Sequence, residues 1–191
     1  MKESLLIHQL KEILKIAPDS EKITLDKVFE KLTGKGLFVF LIVFSLPFCL
    51  PIQIPGLSTL FGVVLLLMSL RLVFRSKVFW PKWIAKKKIK RALLVKIVKK
   101  LIKLAHFFEK LIHNRLEFLT KPIYIQKVHG ITLCFCSLFL SLPLPIPLTN
   151  ILAAFPILFL SIGLLEDDGV FVIVSYLLLA GAIFSGYYLF K

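Results

Sequence analysis

LFVFLIVFSLPFCLPIQIPGLST, residues 37–59, decides how this chain folds. From Leu37 to Leu50 it is apolar except for Ser45, is broken at Pro47 and closes at Pro51. Pro51-Ile52-Gln53-Ile54-Pro55-Gly56 reads as a turn or unwound stretch, since each proline removes a helix donor and Gly56 permits unusual dihedrals. A second apolar run starts at Ser58-Thr59 and continues through Leu70 to Arg71 and Phe74. A crossing needs about 20 apolar residues. Neither run reaches that length.

The design recurs in VHGITLCFCSLFLSLPLPIPLTN, residues 128–150. Ser45-Leu46-Pro47 aligns with Ser141-Leu142-Pro143, Pro51-Ile52 with Pro145-Ile146, and Pro55 with Pro147. Ser58-Thr59 falls near Thr149-Asn150, and Ser69-Leu70 matches Ser161-Ile162. The run Ile151–Leu165 follows, Glu166-Asp167-Asp168-Gly169 interrupts it, and Val170–Phe190 is long enough to span alone. The expected architecture is an all-α integral membrane protein. Two Pro-broken helical hairpins form a weak internal repeat, with a basic amphipathic helix between them and a C-terminal transmembrane helix. The segments are 1–36 (cytoplasmic amphipathic helices), 37–75 (first hairpin), 76–127 (basic cytoplasmic or interfacial segment), 128–165 (second hairpin) and 170–190 (last helix).

Composition agrees. Of 191 residues 58% are hydrophobic and 18 are Phe, with mean hydropathy +0.86, which excludes a disordered chain and disfavours an ordinary cytosolic enzyme. Charge is segregated: residues 71–127 hold 17 Lys+Arg against Glu109 and Glu117 alone. Positive loops stay in the cytoplasm, so a multi-pass membrane protein with a cytoplasmic N-terminus is expected. The hairpins should then return to the cytoplasm and the last helix should carry Lys191 outside. No secretory signal is expected at the N-terminus.

The N-terminal segment reads as two short amphipathic helices, the second with Thr24 as N-cap. From Trp83 to Leu119 apolar residues recur at three- and four-residue steps, with lysines opposite, as in a helix lying at a membrane interface. Lys86, Lys87, Lys88, Lys90, Arg91, Lys96, Lys99, Lys100 and Lys103 are the candidate contacts to anionic lipid. The alternative is that this helix covers the protein's own hairpins, its lysines reaching into water. Nucleic acid is not an expected partner, because no aromatic platform accompanies the lysines.

Two places hold candidate chemistry. At the elbows, Gln53, Pro55, Gly56, Ser58, Thr59, Pro147, Thr149 and Asn150 would line a transporter-like site, or the prolines simply reverse the chain at the far interface. At the acidic cluster, Glu166, Asp167 and Asp168 would bind a cation or meet Arg71 and Arg75; alternatively Asp168 caps the last helix. Cys49, Cys134 and Cys136 read as small buried hydrophobes. His106 and His113 are spaced to share a helix face, and His129-Gly130 marks the water boundary of the next run. No catalytic constellation, metal site or cofactor is expected.

On these residues the chain resembles the ExoD family of bacterial membrane proteins, named for exopolysaccharide synthesis, from about Ile23 to Leu189. The resemblance rests on Ile23-Thr24-Leu25, Leu46-Pro47, Ile54-Pro55-Gly56-Leu57-Ser58-Thr59, Trp80-Pro81 and Trp83. Ser141-Leu142-Pro143, Pro145-Ile146-Pro147, Asn150 and Gly163-Leu164-Leu165-Glu166-Asp167-Asp168-Gly169 complete it. The Lys-rich, Arg-poor middle departs from the family and would weaken phosphate-fork recognition there. The resemblance implies an inner-membrane protein tied to cell-surface polysaccharide production, and it implies no reaction. The expected role is support of exopolysaccharide synthesis or export without catalysis, with polysaccharide-synthesis machinery as a partner. The alternatives are a small transporter working at the elbows and an enzyme acting on a lipid phosphate. A homodimer is one arrangement that would cover the elbows.

Overall fold

The computed structural model describes residues 7–8, 10–11, 22–24, 36–50, 57–74, 88–90, 95, 98–99, 102–103, 106, 113, 115–142 and 149–189. Five helices carry the architecture: α1 (Gly36–Ser45), α2 (Leu57–Phe74), α3 (Ile123–Ser141), α4 (Thr149–Glu166) and α5 (Gly169–Leu189). Of these, α3, α4 and α5 are long and apolar enough to cross a membrane. Two three-residue strands, β1 (Lys22–Thr24) and β2 (Lys88–Lys90), pair antiparallel with Ile23 opposite Ile89. Thr24, expected as a helix N-cap, is the last residue of β1, and part of the basic run is strand.

The prolines end the helices where the repeat places them. α1 stops at Ser45 and passes into a 3-10 turn, Leu46–Cys49, with Pro47 in its first positions. Leu50 then turns extended ahead of Pro51, the conformation a following proline imposes. α3 stops at Ser141, and Leu142 is likewise extended ahead of Pro143. Both terminal hydroxyls turn back onto the carbonyl three residues earlier: Ser45 Oγ to Ile42 at 3.1 Å, Ser141 Oγ to Leu138 at 2.6 Å. The matched serines therefore do the same local work.

Each hairpin packs mainly on the other. α2 makes its most extensive contact with α3, and α1 packs on α4. Exchanging the two repeats converts one of these pairs into the other. Along α2–α3 the helices run antiparallel, with Gly62 against the Ser141 backbone, Ser69 Oγ 3.5 Å from Ser137 Oγ, and Gly130 against Val73. A Cβ on Gly62 would lie 2.6 Å from Ser141 N, so the two backbones touch only because position 62 has no side chain. Small residues at such a seam let helices approach closely where burying apolar surface gains nothing over lipid. α4 turns through Asp167 at φ 57° into α5, which runs back along it with Phe171 stacked on Phe159 and Ser175 Oγ donating to Pro156 O at 2.8 Å.

α1 is apolar all round and buried from Gly36 to Ile42, as an unstriped apolar helix must be. At 1.5 Å per residue it is about 15 Å long, half a hydrocarbon core of about 30 Å. Ile7, Leu10 and Val98 join the same buried cluster, and Ile102 packs against it. α3 is the opposite case. Tyr124, Val128, Ile131, Phe135, Leu138 and Leu142 form an exposed apolar stripe over about 27 Å.

Two sequence expectations are corrected here. α3 begins at Ile123, ahead of the apolar run at Val128, so His129 lies inside the helix and is buried rather than marking a water boundary. The basic helix does not reach Leu119. His113, Arg115 and Leu116 are non-helical, Leu116 has φ 54°, and a 3-10 turn covers Glu117–Leu119, so His106 and His113 share no helix face. Cys136 is buried, while Cys49 and Cys134 are half-buried and all three are unbridged.

Candidate functional site

The antiparallel α2–α3 seam brings the ends that flank the two elbows together: the start of α2 and the end of α3 lie at one end of the bundle. Ser58 and Thr149, in the first turns of α2 and α4, are buried; Thr59 and Asn150 are partly so. Gln53, Pro55, Gly56 and Pro147 lie outside the described residues.

At the opposite end Asp168 is buried and fully committed to backbone. Its Oδ1 accepts the Val170 N–H at 3.0 Å, the N-cap bond expected of it, and its Oδ2 accepts the His113 N–H at 2.9 Å. The Gly169 N–H donates to Arg115 O at 2.7 Å. A Cβ on Gly169 would lie 2.7 Å from both Leu116 Cβ and Leu116 O. His113 and residues 115–119 thus form a strap tied across the start of α5, and the strap is what Asp168 holds. Glu166 is buried beside it, Asp167 is partly exposed, and Arg75 lies outside the described residues.

Of the basic residues, Lys99 and Lys103 are exposed while Val98 and Ile102 face the core, so this part of the segment spends its apolar side on the protein and its charge on the surroundings. Lys88 and Lys90 sit in β2. Lys86, Lys87, Arg91, Lys96 and Lys100 lie outside the described residues. On the strap's far side Lys121 pairs with Glu117, and that carboxylate's hydrogen bond raises the ammonium above its ordinary value.

One polar cluster escapes sequence reasoning. His129 on α3 places Nδ1 2.9 Å from Tyr176 Oη on α5 and Nε2 2.8 Å from Leu119 O on the strap. Tyr176 Oη is also 3.2 Å from Thr132 Oγ1, which donates to Val128 O at 3.1 Å. The carbonyl can only accept, so Nε2 carries a hydrogen and tethers the strap to α3. The signal was present in sequence. α3 and α5 start at the same end of the bundle, and His129 is seven residues into one, Tyr176 eight into the other. They meet because they share a depth. An ionisable side chain in an apolar span, with a hydroxyl at matching depth in another span, marks a functional candidate. Among the described residues no three His, Cys, Asp or Glu side chains gather as a metal site would require.

Comparison with known proteins adds the following. A family model described as "Exopolysaccharide synthesis, ExoD" matches residues 6–187. The chain is 32% identical to Protein ExoD of Rhizobium meliloti (strain 1021) over 82% of its own length and 66% of that protein. It is 35% identical to an uncharacterized protein of Synechocystis sp. over 73% of its length and 64% of that protein. The matched part of the chain thus spans just under two thirds of each relative. No solved structure matches the chain.

Proposed function

Because this chain belongs to the ExoD family, whose description is exopolysaccharide synthesis, we propose that it is an inner-membrane component supporting exopolysaccharide synthesis or export without catalysing a step itself. Its N-terminus and basic segment lie on the cytoplasmic side, where the lysines meet anionic lipid headgroups or lipid-linked intermediates. The observation that carries this reading is the family match; at Val98 and Ile102 the apolar side packs on the protein's own core, as in the covering-helix alternative, which leaves Lys99 and Lys103 exposed to meet headgroups. Each basic residue near an anionic leaflet adds about 1 kcal/mol of attraction. The family description names a process and no reaction, in keeping with a supporting role.

The test is complementation. In a bacterial strain lacking its own family member, this chain restores exopolysaccharide yield, and changing Lys86, Lys87, Lys88, Lys90, Lys96, Lys99, Lys100 and Lys103 to Gln lowers that yield while leaving the protein in the membrane. Unchanged yield from the neutralised chain overturns the role given to the lysines. Turnover of a polyprenyl-phosphate sugar by purified protein overturns the non-catalytic part.

A second reading, a small transporter, is favoured by one observation: the helix ends flanking both elbows meet at one end of the bundle. Non-helical backbone at membrane depth, paired across repeats, is the arrangement in which transporters hold substrate. Changing Gln53, Thr59 and Asn150 to Ala abolishes transport by proteoliposomes under this reading. Full complementation by the triple variant removes it.

A further inference from the structure

We propose that the His129–Tyr176–Thr132 chain is a proton-binding site inside the bundle. Uptake of one proton at His129 Nδ1 turns the Tyr176 hydroxyl round and tightens the hold of α5 and the strap on α3.

The count of hydrogens carries this inference. Four contacts join the groups in series: Leu119 O to His129 Nε2 at 2.8 Å, His129 Nδ1 to Tyr176 Oη at 2.9 Å, Tyr176 Oη to Thr132 Oγ1 at 3.2 Å, and Thr132 Oγ1 to Val128 O at 3.1 Å. The carbonyls at the two ends only accept. Nε2 must therefore carry a hydrogen for Leu119. With a neutral ring the hydrogen of Tyr176 serves Nδ1, and the single hydrogen of Thr132 serves either Val128 O or Tyr176 Oη. Three hydrogens then serve four contacts, and one contact goes without. With a proton on Nδ1 the ring donates to Tyr176, Tyr176 donates to Thr132, and every contact has its own hydrogen. The proton comes from hydronium in the surrounding water: one of its O–H bonds breaks as the N–H bond forms, a water molecule is released, and the phenol O–H only rotates.

The surroundings leave this work to the chain itself. α5 presents Tyr176 to the ring, and the strap presents the Leu119 carbonyl, while Glu117 and Lys121 are paired with each other at the exposed surface. α2 packs Val73 against the neighbouring Gly130 and carries Arg71 at this end; α3 itself carries the exposed Lys127. Asp168 is occupied by two backbone donors. No carboxylate among the described residues bonds the ring. Charge-bearing hydrogen bonds to hydroxyl and carbonyl oxygen are what hold the proton.

The experiment follows the ring nitrogens of 15N-histidine in the full chain, reconstituted in nanodiscs, from pH 8 to pH 5, with the His129→Gln protein identifying the signal. The expected result is that both nitrogens of His129 move together to imidazolium shifts while the protein stays folded. Thr132→Val removes the acceptor that the turned hydroxyl needs and leaves the neutral Tyr176–His129 bond intact, so it weakens proton binding about tenfold. Thr132→Ser restores the parent midpoint. Tyr176→Phe, a second variant of near-identical shape, also lowers the midpoint. A ring that stays neutral with its hydrogen on Nε2 throughout the folded range overturns the proposal. So does a midpoint that is the same in Thr132→Val and in the parent chain.

Discussion

The two hairpins share one sequence plan and come out unlike. In the first, α1 is about 15 Å long and enclosed by protein; in the second, its counterpart α3 has a 19-residue span with a full-length stripe exposed. Both end at a serine two residues before a proline, with the same back-bonded hydroxyl. The shared motif decides where a helix stops. Where each begins sets its length: α1 starts at Gly36, whereas α3 starts at Ile123, ahead of its uninterrupted apolar run.

The seam between the repeats is the most sensitive place to break this comparison. Gly62→Leu pushes a side chain into the Ser141 backbone and should cost 3 kcal/mol or more, on the order of the largest overpacking losses. Gly181→Leu on α5, where nothing lies within 4 Å, should leave thermal stability in detergent unchanged. Equal melting shifts in the two variants would refute the close seam.

Next come α1 and α3 themselves. Leu41→Ala in α1 removes a fully buried side chain and should destabilise by about 2–5 kcal/mol. Ile131→Ala, on the exposed stripe of α3, should cost under about 1 kcal/mol in detergent unfolding. The strap gives a smaller effect. Asp168→Ala loses the cap on α5 and leaves the His113 N–H unpaired, for a loss of about 1–2 kcal/mol, while Asp168→Asn retains most of the cap. Hydrogen exchange at Val170 and His113 reports it directly.

The matched serines sharpen the comparison further. Ser69 Oγ donates to Leu65 O at 2.8 Å and lies beside Ser137, whereas the buried Ser161 hydroxyl has no partner among the described residues. Ser69→Ala should therefore cost about 1 kcal/mol, and Ser161→Ala should be neutral or stabilising. The smallest effect is at the surface. Lys121 is raised by Glu117, so its contribution is full below the ammonium's unfolded value and fades as alkaline pH passes its raised folded value. Lys121→Ala should shift melting at neutral pH by no more than measurement scatter, and any shift should vanish in high salt.

Much of this was legible in the residues. α1 and α3 stop just ahead of Pro47 and Pro143, since a proline lacks a donor, yet Pro156 is carried inside α4, so the surroundings decide where the rule holds. Asp168 could be read as a cap because capping depends on the two residues that follow. The strap could not be read, since the apolar spacing of residues 108–116 is helical in pattern while Arg115 and Leu116 are drawn out of helix by Gly169 and the α5 terminus. His129 was placed at the boundary because α3 starts on Ile123-Tyr124, ahead of the uninterrupted run. Nothing local marks Tyr176; only its depth in α5, matching that of His129 in α3, sets it apart.

By itself the sequence determined the lipid-like solvent, the stops of α1 and α3 and the segment in which charge collects, because hydropathy, proline chemistry and charge are properties of local composition. Only the tertiary structure decided that each hairpin packs on the other, that α1 is enclosed while α3 keeps one face exposed, and that a histidine, a tyrosine and a threonine form one hydrogen-bonded chain. Those outcomes depend on which small residues let two backbones touch, and that is a relation between segments far apart in the chain.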